Sequence, residues 1–262
     1  MYGAIIGDIA GSIFEYSQIK EISNIECKKL LPQNGFFSDD TILTIAIADA
    51  IMHGKDYEKF LRMYGNRYLK YKPNFAPYFN TSFSPGFIRW LKENNEGTSI
   101  GNGAMMRISP VGEAFKTQEE VLENVLAATR PSHNSKEALY CSGTIALIGF
   151  YAKQGLSKSD IIQKLNLHIK EPKIEKFNAT CHETMDVCLY SLFTSTSFEE
   201  SIKKAISFGG DTDTNACIVG GMAEQLYGLD ANLKKEVINR IPEEFIAVLN
   251  NFERFIDSEY ER

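Results

Sequence analysis

Apolar residues recur at three-to-four spacing along most of the chain, the signature of amphipathic helices. The pattern predicts helices over 3–16, 40–53, 56–71, 118–130, 135–154, 158–166, 178–193, 199–208, 214–227 and 232–260. In 40–53 (DTILTIAIADAIMH) apolar side chains nearly surround the axis, so this helix belongs at the centre of the core. The segment 135–154 reads the same way. Alternation of period two is scarce and no βαβ rhythm appears, so the expected fold is all-α, a compact orthogonal multi-helix bundle. Gly, Pro, Asn and Ser gather at 31–38, 72–86, 94–103, 130–134 and 209–213, which read as loops. With no repeat and no low-complexity linker, residues 1–262 read as one domain. The last forty residues read as a helical hairpin.

Composition narrows the function classes. The formal net charge of −6 comes with no dense Lys/Arg block, which argues against a nucleic-acid binder that works by neutralising phosphates. Five cysteines (Cys27, Cys141, Cys181, Cys188, Cys217) are scattered without a CxxC pair. They read as reduced thiols of a cytoplasmic protein. Cys181-His182 lacks the second ligand pair that zinc would need. The opening MYGAIIGDIAGSIFE is apolar but carries Asp8 and Glu15 and no basic leader, so it reads as neither signal peptide nor membrane span. No later apolar run approaches about 18 residues.

Four polar groups interrupt the apolar pattern. Ser38-Asp39-Asp40-Thr41 stands ahead of the buried helix, where Ser38 can cap and the carboxylates meet the positive end of the helix dipole. Capping alone leaves two adjacent carboxylates repelling each other, which invites a cation. Asp211-Thr212-Asp213-Thr214 follows Gly209-Gly210 and opens a second apolar helix. Asp at i and i+2, with a Thr hydroxyl, makes an all-oxygen donor set suited to Mg²⁺, Mn²⁺ or Ca²⁺. An EF-hand loop fails because Ala216 stands where Gly is needed and Met222 where the bidentate Glu belongs. A haloacid-dehalogenase D-x-D fails because no hydrophobic strand precedes it. Two acidic clusters, each leading into a buried helix, predict a shared binuclear metal site. In the first helix Gly3, Gly7 and Gly11 form a stripe that predicts close packing against another backbone, with Glu15 turned inward near it. Finally, Gly97 to Arg107 (GTSIGNGAMMR) is a Gly/Ser/Asn loop able to offer backbone N–H groups to a phosphate, though it is not a P-loop. His133 taken alone reads as a loop or capping histidine.

Taken together, Gly7-Asp8, Gly11, Glu15, Phe37-Ser38-Asp39-Asp40-Thr41, Gly101-Asn102-Gly103-Ala104-Met105-Met106-Arg107, Ser132-His133-Asn134 and Gly209-Gly210-Asp211-Thr212-Asp213-Thr214 resemble, in order and spacing, the ADP-ribosylglycohydrolases. The resemblance runs from about residue 3 to 228. It implies an all-α fold holding two Mg²⁺ or Mn²⁺ ions and a hydrolase that cleaves the C1″ bond of ADP-ribose. On the same footing, Ser38, Asp39, Asp40, Asp211, Asp213 and Thr214 would be metal ligands. Glu15, Asp39 and Asp40 would serve the chemistry. Ser99, Gly101, Asn102, Gly103, Met105 and His133 would bind substrate, an ADP-ribosylated protein being the expected partner. Ile100 stands where the family often has an aromatic residue, and Ser132 where it usually has Thr. Both departures touch the substrate pocket and so bear on the leaving group. Hydrolysis of a free derivative such as O-acetyl-ADP-ribose, or binding without turnover, remain as alternatives.

Overall fold

In a computed structural model the described residues are 1–18, 25–73, 81–93, 95–177 and 179–260. Residues 74–80 of the expected loop 72–86, residue 94 of the loop 94–103 and residue 178 at the start of the helix expected over 178–193 lie outside them. The described residues form helices α1 (Tyr2–Gln18), α2 (Asp39–Met52), α3 (Tyr57–Arg67), α4 (Pro85–Lys92), α5 (Ser109–Ala114), α6 (Gln118–His133) and α7 (Lys136–Lys153). The series continues with α8 (Lys158–Lys164), α9 (Cys181–Phe193), α10 (Phe198–Ser207), α11 (Thr212–Tyr227), α12 (Ala231–Ile238) and α13 (Glu243–Tyr260). Among these residues the only strand-type pairings are two isolated bridges, so the fold is all-α as the periodicity predicts.

The glycine stripe explains the centre of the molecule. α1 and α11 run antiparallel and pack along almost their whole length. A Cβ on Gly3 would sit 2.2 Å from the Gly220 carbonyl oxygen, one on Gly7 2.0 Å from that of Ala216, and one on Gly11 2.3 Å from that of Thr212. No side chain fits between the two backbones. The Thr212 hydroxyl donates to the Gly11 carbonyl (2.9 Å) and closes the end of the seam. α2 crosses beside this pair with every residue from Asp40 to Ile51 buried except Asp49, as its all-round apolar pattern requires. Each fully buried Ile or Leu there contributes about 1.5–3 kcal/mol.

Three local readings are corrected. The expected loop 130–134 begins with the last turn of α6, which continues through Pro131 to His133. A proline inside a helix cannot donate to the preceding turn. Here the helix on either side of the proline is held from outside, by Gly97 N donating to Pro131 O (2.9 Å) and by the Arg107 guanidinium donating to Ala128 O (3.2 Å). The helix expected over 232–260 breaks at 239–242 into α12 and α13, because Pro242 cannot continue the ladder. The two pack mainly on α1 and α2 respectively and less on each other, joined by a Lys234–Glu253 ion pair. α4 and α5 occupy segments given no helix by periodicity. Both start on Ser-Pro or Pro-containing first turns, and Ser84 caps α4 by accepting from Phe87 N (3.2 Å). No helix of the described residues is long and apolar enough to cross a membrane.

Candidate active site

The antiparallel seam determines which carboxylates meet. One turn beyond Gly11, α1 carries Glu15, and the facing end of α11 carries Asp211 and Asp213. Gly209 and Gly210 both adopt left-handed backbone (φ 74° and 72°), a conformation that only glycine takes cheaply, and this turns the chain sharply into α11. On the other side Asp8 projects from α1 to the start of α2. Its Oδ2 accepts from Ser38 N (2.8 Å), Thr41 N (3.0 Å) and the Thr41 hydroxyl (2.5 Å). Ser38 also caps α2, its hydroxyl accepting from Asp40 N (3.2 Å). Both caps leave Asp40 turned towards α11, where the Thr214 hydroxyl donates to its Oδ2 (3.2 Å).

Two carboxylate triads result. Asp8, Asp40 and Asp213 form one, and Glu15, Asp211 and Asp213 the other, with the oxygens of each triad within 4.8 Å of one another. Asp213 belongs to both. Of the residues expected to hold metal, Asp40, Asp211 and Asp213 come together in the triads. Ser38 and Thr214 reach them through Asp40, and Asp39 stands at the cavity edge beside them. Asp8 was missed as a site residue. Its sequence signal was a lone Asp in an apolar helix directly after a seam glycine.

Above the triads lies a cavity of about 790 Å³, the size of pocket that holds a small-molecule ligand. One wall is the 97–103 segment, held from two sides. Thr98 pairs with His133, while Asn102 N donates to Ala179 O (2.8 Å) and Cys181 N to Ile100 O (2.9 Å). The Asn102 amide bridges to the floor, donating to Asp211 Oδ2 (2.7 Å) and the Thr184 hydroxyl (3.1 Å). Ser99, Gly101, Asn102, Gly103 and His133 all line the cavity, as their assignment requires. Met105 does not. It is 1% exposed, packed in the core, and its neighbour Met106 lines the cavity instead. The opposite wall is α4 with the preceding turn, where Phe83, Phe87 and Trp90 pack in series. Sequence reasoning gave that segment no role, its only signal being the aromatic spacing within SFSPGFIRW.

Burial pushes the carboxyls of Glu15, Asp39, Asp40 and Asp213 well above the usual range, and mutual repulsion adds to it. Asp8 is pushed up to about 6 by burial, held from going further by the Ser38 and Thr41 donors. No Lys or Arg among the described residues forms an ion pair with any of these five or with Asp211. Asp8 Oδ1 and Asp40 Oδ1 are buried without a hydrogen-bond partner, a costly state for a carboxylate oxygen. An all-oxygen donor set with orphaned carboxylate oxygens and no protein cation fits hard divalent ions such as Mg²⁺ or Mn²⁺.

An all-helical protein with shared acidic triads under a ligand-sized cavity is the class that fold and site define. Comparison with known proteins places it more narrowly. The family model described as ADP-ribosylglycohydrolase matches residues 1–261, and the chain belongs to this family of hydrolases. It is similar to the ADP-ribosyl-[dinitrogen reductase] glycohydrolase of Rhodospirillum rubrum, 30% identical over 55% of this chain and 54% of that one. It is also similar to the ADP-ribosylarginine hydrolase Tri1 of Pseudomonas putida, 22% identical over 87% and 70%. A solved structure, an ADP-ribosylglycohydrolase-related protein complex, superposes with a TM-score of 0.64 at 20% identity, covering 98% of this chain and 94% of the other. At that identity it shows the shared fold.

Proposed function

We propose that this protein is a metal-dependent hydrolase that releases ADP-ribose from a modified protein side chain by cleaving the C1″ glycosidic bond. The observation that carries this reading is the pair of carboxylate triads sharing Asp213 at the floor of the cavity. Asp8, Asp40, Asp211, Asp213 and Glu15, with Ser38, Asp39 and Thr214 beside them, are the residues to hold two Mg²⁺ or Mn²⁺ ions. Such ions supply the positive charge that orients ribose hydroxyls and makes a water acidic enough to lose a proton near neutral pH.

The chain's own residues supply the rest. Cleavage builds positive charge on the ribose ring, so groups that hold the sugar and exclude solvent favour the transition state. The 97–103 segment and His133 are assigned to the diphosphate and ribose, and the aromatic wall of α4 shields the floor. Asp39, Asp40 and Glu15 border the cavity, and the proton of the attacking water passes to one of them. One contiguous core and five buried, unpaired cysteines fit a single domain working in the reducing cytoplasm.

The names of the relatives point to ADP-ribosylated dinitrogenase reductase and to ADP-ribosylarginine as substrate types. The cavity volume also admits a free ADP-ribose ester. The test is release of free ADP-ribose from arginine-linked, serine-linked and nucleobase-linked substrates and from O-acetyl-ADP-ribose, with Mg²⁺, Mn²⁺ or EDTA. Metal-dependent release from one conjugate is the expected outcome. Binding of ADP-ribose with no release from any of them would replace the enzyme by a binding module.

A further inference from the structure

Arg107 ends the GNGAMMR segment, and its contact with α6 at Ala128 O accounts for only part of its guanidinium. Its side chain is wholly buried, yet no carboxylate among the described residues pairs with it. Its Nη2 donates to Ala128 O (3.2 Å) and to the Ser132 hydroxyl (2.8 Å), while Nε and Nη1 have no hydrogen-bond partner. The Ser132 oxygen also lies 2.7 Å from His133 Nδ1. A guanidinium has donors only, so the Ser132 oxygen is an acceptor on the Arg107 side. Its own hydrogen has His133 Nδ1 as its remaining partner. The reverse arrangement, with Nδ1–H donating to Ser132, would direct two donors at one oxygen and strand the serine hydrogen in a buried place.

The chain Arg107–Ser132–His133 therefore settles which imidazole nitrogen carries the proton. We propose that Arg107, acting through Ser132, is a positioning residue that fixes His133 as the Nε2–H tautomer, a neutral donor aimed at an anionic substrate in the cavity. His133 Nε2 lies 3.4 Å from where a Gly103 Cβ would be and 4.0 Å from that of Gly101, so it overhangs the Gly-Asn-Gly segment on the cavity wall. The backbone of His133 is pinned by its bridge to Thr98 and by Asn134 N donating to Gly97 O (2.7 Å). Burial and the neighbouring guanidinium hold the imidazole pKa well below its ordinary value, so it stays neutral near pH 7. Fixed in this form, His133 cannot act as a general base through Nε2. It can only donate there. That the ligand is ADP-ribose rests on the proposed function, whereas the tautomer does not.

Nitrogen NMR of the full-length protein with ¹⁵N-labelled histidine reads the tautomer directly, His133 being assigned by its loss in His133→Gln. Expected is a single neutral Nε2–H form between pH 8 and pH 6, kept in Ser132→Thr, which retains the hydroxyl, and lost to a mixture in Ser132→Ala. Free ADP-ribose should bind about tenfold more weakly to Ser132→Ala and recover in Ser132→Thr, as loss of one hydrogen bond to a charged group implies. An Nδ1–H form in the wild type, or a Ser132→Ala spectrum like that of the wild type, overturns the relay. A shifted tautomer with unchanged ADP-ribose affinity overturns the donor role. If the wild type shows the tautomer but binds no ADP-ribose, the relay stands and the glycohydrolase reading fails.

Discussion

The floor and the wall of the cavity are charged in opposite senses, and neither neutralises the other. On the floor five carboxylates crowd around two points, and no Lys or Arg among the described residues pairs with any of them. On the wall a buried guanidinium stands without a carboxylate, behind a histidine held neutral. A protein built only for stability would pair these charges or replace them with apolar groups, since unpaired buried charge is costly. Keeping them apart leaves one set to be completed by cations and the other by an anion. That division suits the metal-assisted site for a diphosphate-bearing ligand proposed above.

The sharpest way to break the floor is at its shared member. Asp213→Ala should reduce metal-dependent ADP-ribose release by more than about a hundredfold, beyond the effect typical of outer-shell partners of metal ligands. Asp213→Asn should lose activity likewise and yet melt higher than the wild type in EDTA, because it removes a repelling buried carboxylate. Activity retained in either variant would show that the triads are not the reactive centre. The next largest effect is expected where the floor is assembled. Gly7→Ala places a methyl 2.0 Å from a carbonyl oxygen, and urea unfolding should register a loss of about 3 kcal/mol, the upper range for overpacking. Gly149→Ala, where a Cβ would meet nothing within 4 Å, should leave stability within about 1 kcal/mol of wild type or raise it.

How far the sequence reveals each region follows from how local its causes are. The floor was largely visible, because glycines at every fourth position, acidic helix starts and all-round apolar helices are statements about single helices. Asp8 escaped because its role depends on α1 meeting the start of α2, a contact no spacing encodes. The wall was much less legible. Pro131 reads as a helix end, and only Arg107 and the 97–99 segment, from elsewhere in the chain, show why α6 continues to His133. Met105 and Met106 are indistinguishable in sequence, and a rotation along one short turn decides which of them faces the cavity.

The tether between the two regions should give an intermediate effect. Asn102→Ala removes the amide that steadies Asp211, and kcat should fall by about tenfold with added Mn²⁺ recovering part of the loss, as for a partner that orients a ligand. A change confined to KM would assign Asn102 to substrate binding alone.

The smallest effect, and the one that separates floor from wall most cleanly, is the pH dependence of stability in EDTA. The folded floor holds protons that the unfolded chain has already released. Asp8 titrates near 6 in the fold against 3.8 ordinarily, so its contribution is largest below about pH 4 and is lost as pH rises through 6. His133 works in the opposite sense. The unfolded histidine takes a proton below about pH 6.5 while the folded one resists it, so its contribution is lost on acidification. Glu15, Asp39, Asp40 and Asp213 act in the same sense as Asp8, so the floor outweighs the wall and the wild type should melt higher in EDTA as pH falls from 6.5 towards 4. Asp8→Asn removes one floor contribution and should leave a protein whose gain in melting temperature in acid is shallower than the wild type's. His133→Gln removes the wall contribution and should give one whose gain is steeper. Parallel profiles in the two variants would mean that floor and wall titrate as one unit, and the separation of charge across the cavity would then not exist in solution.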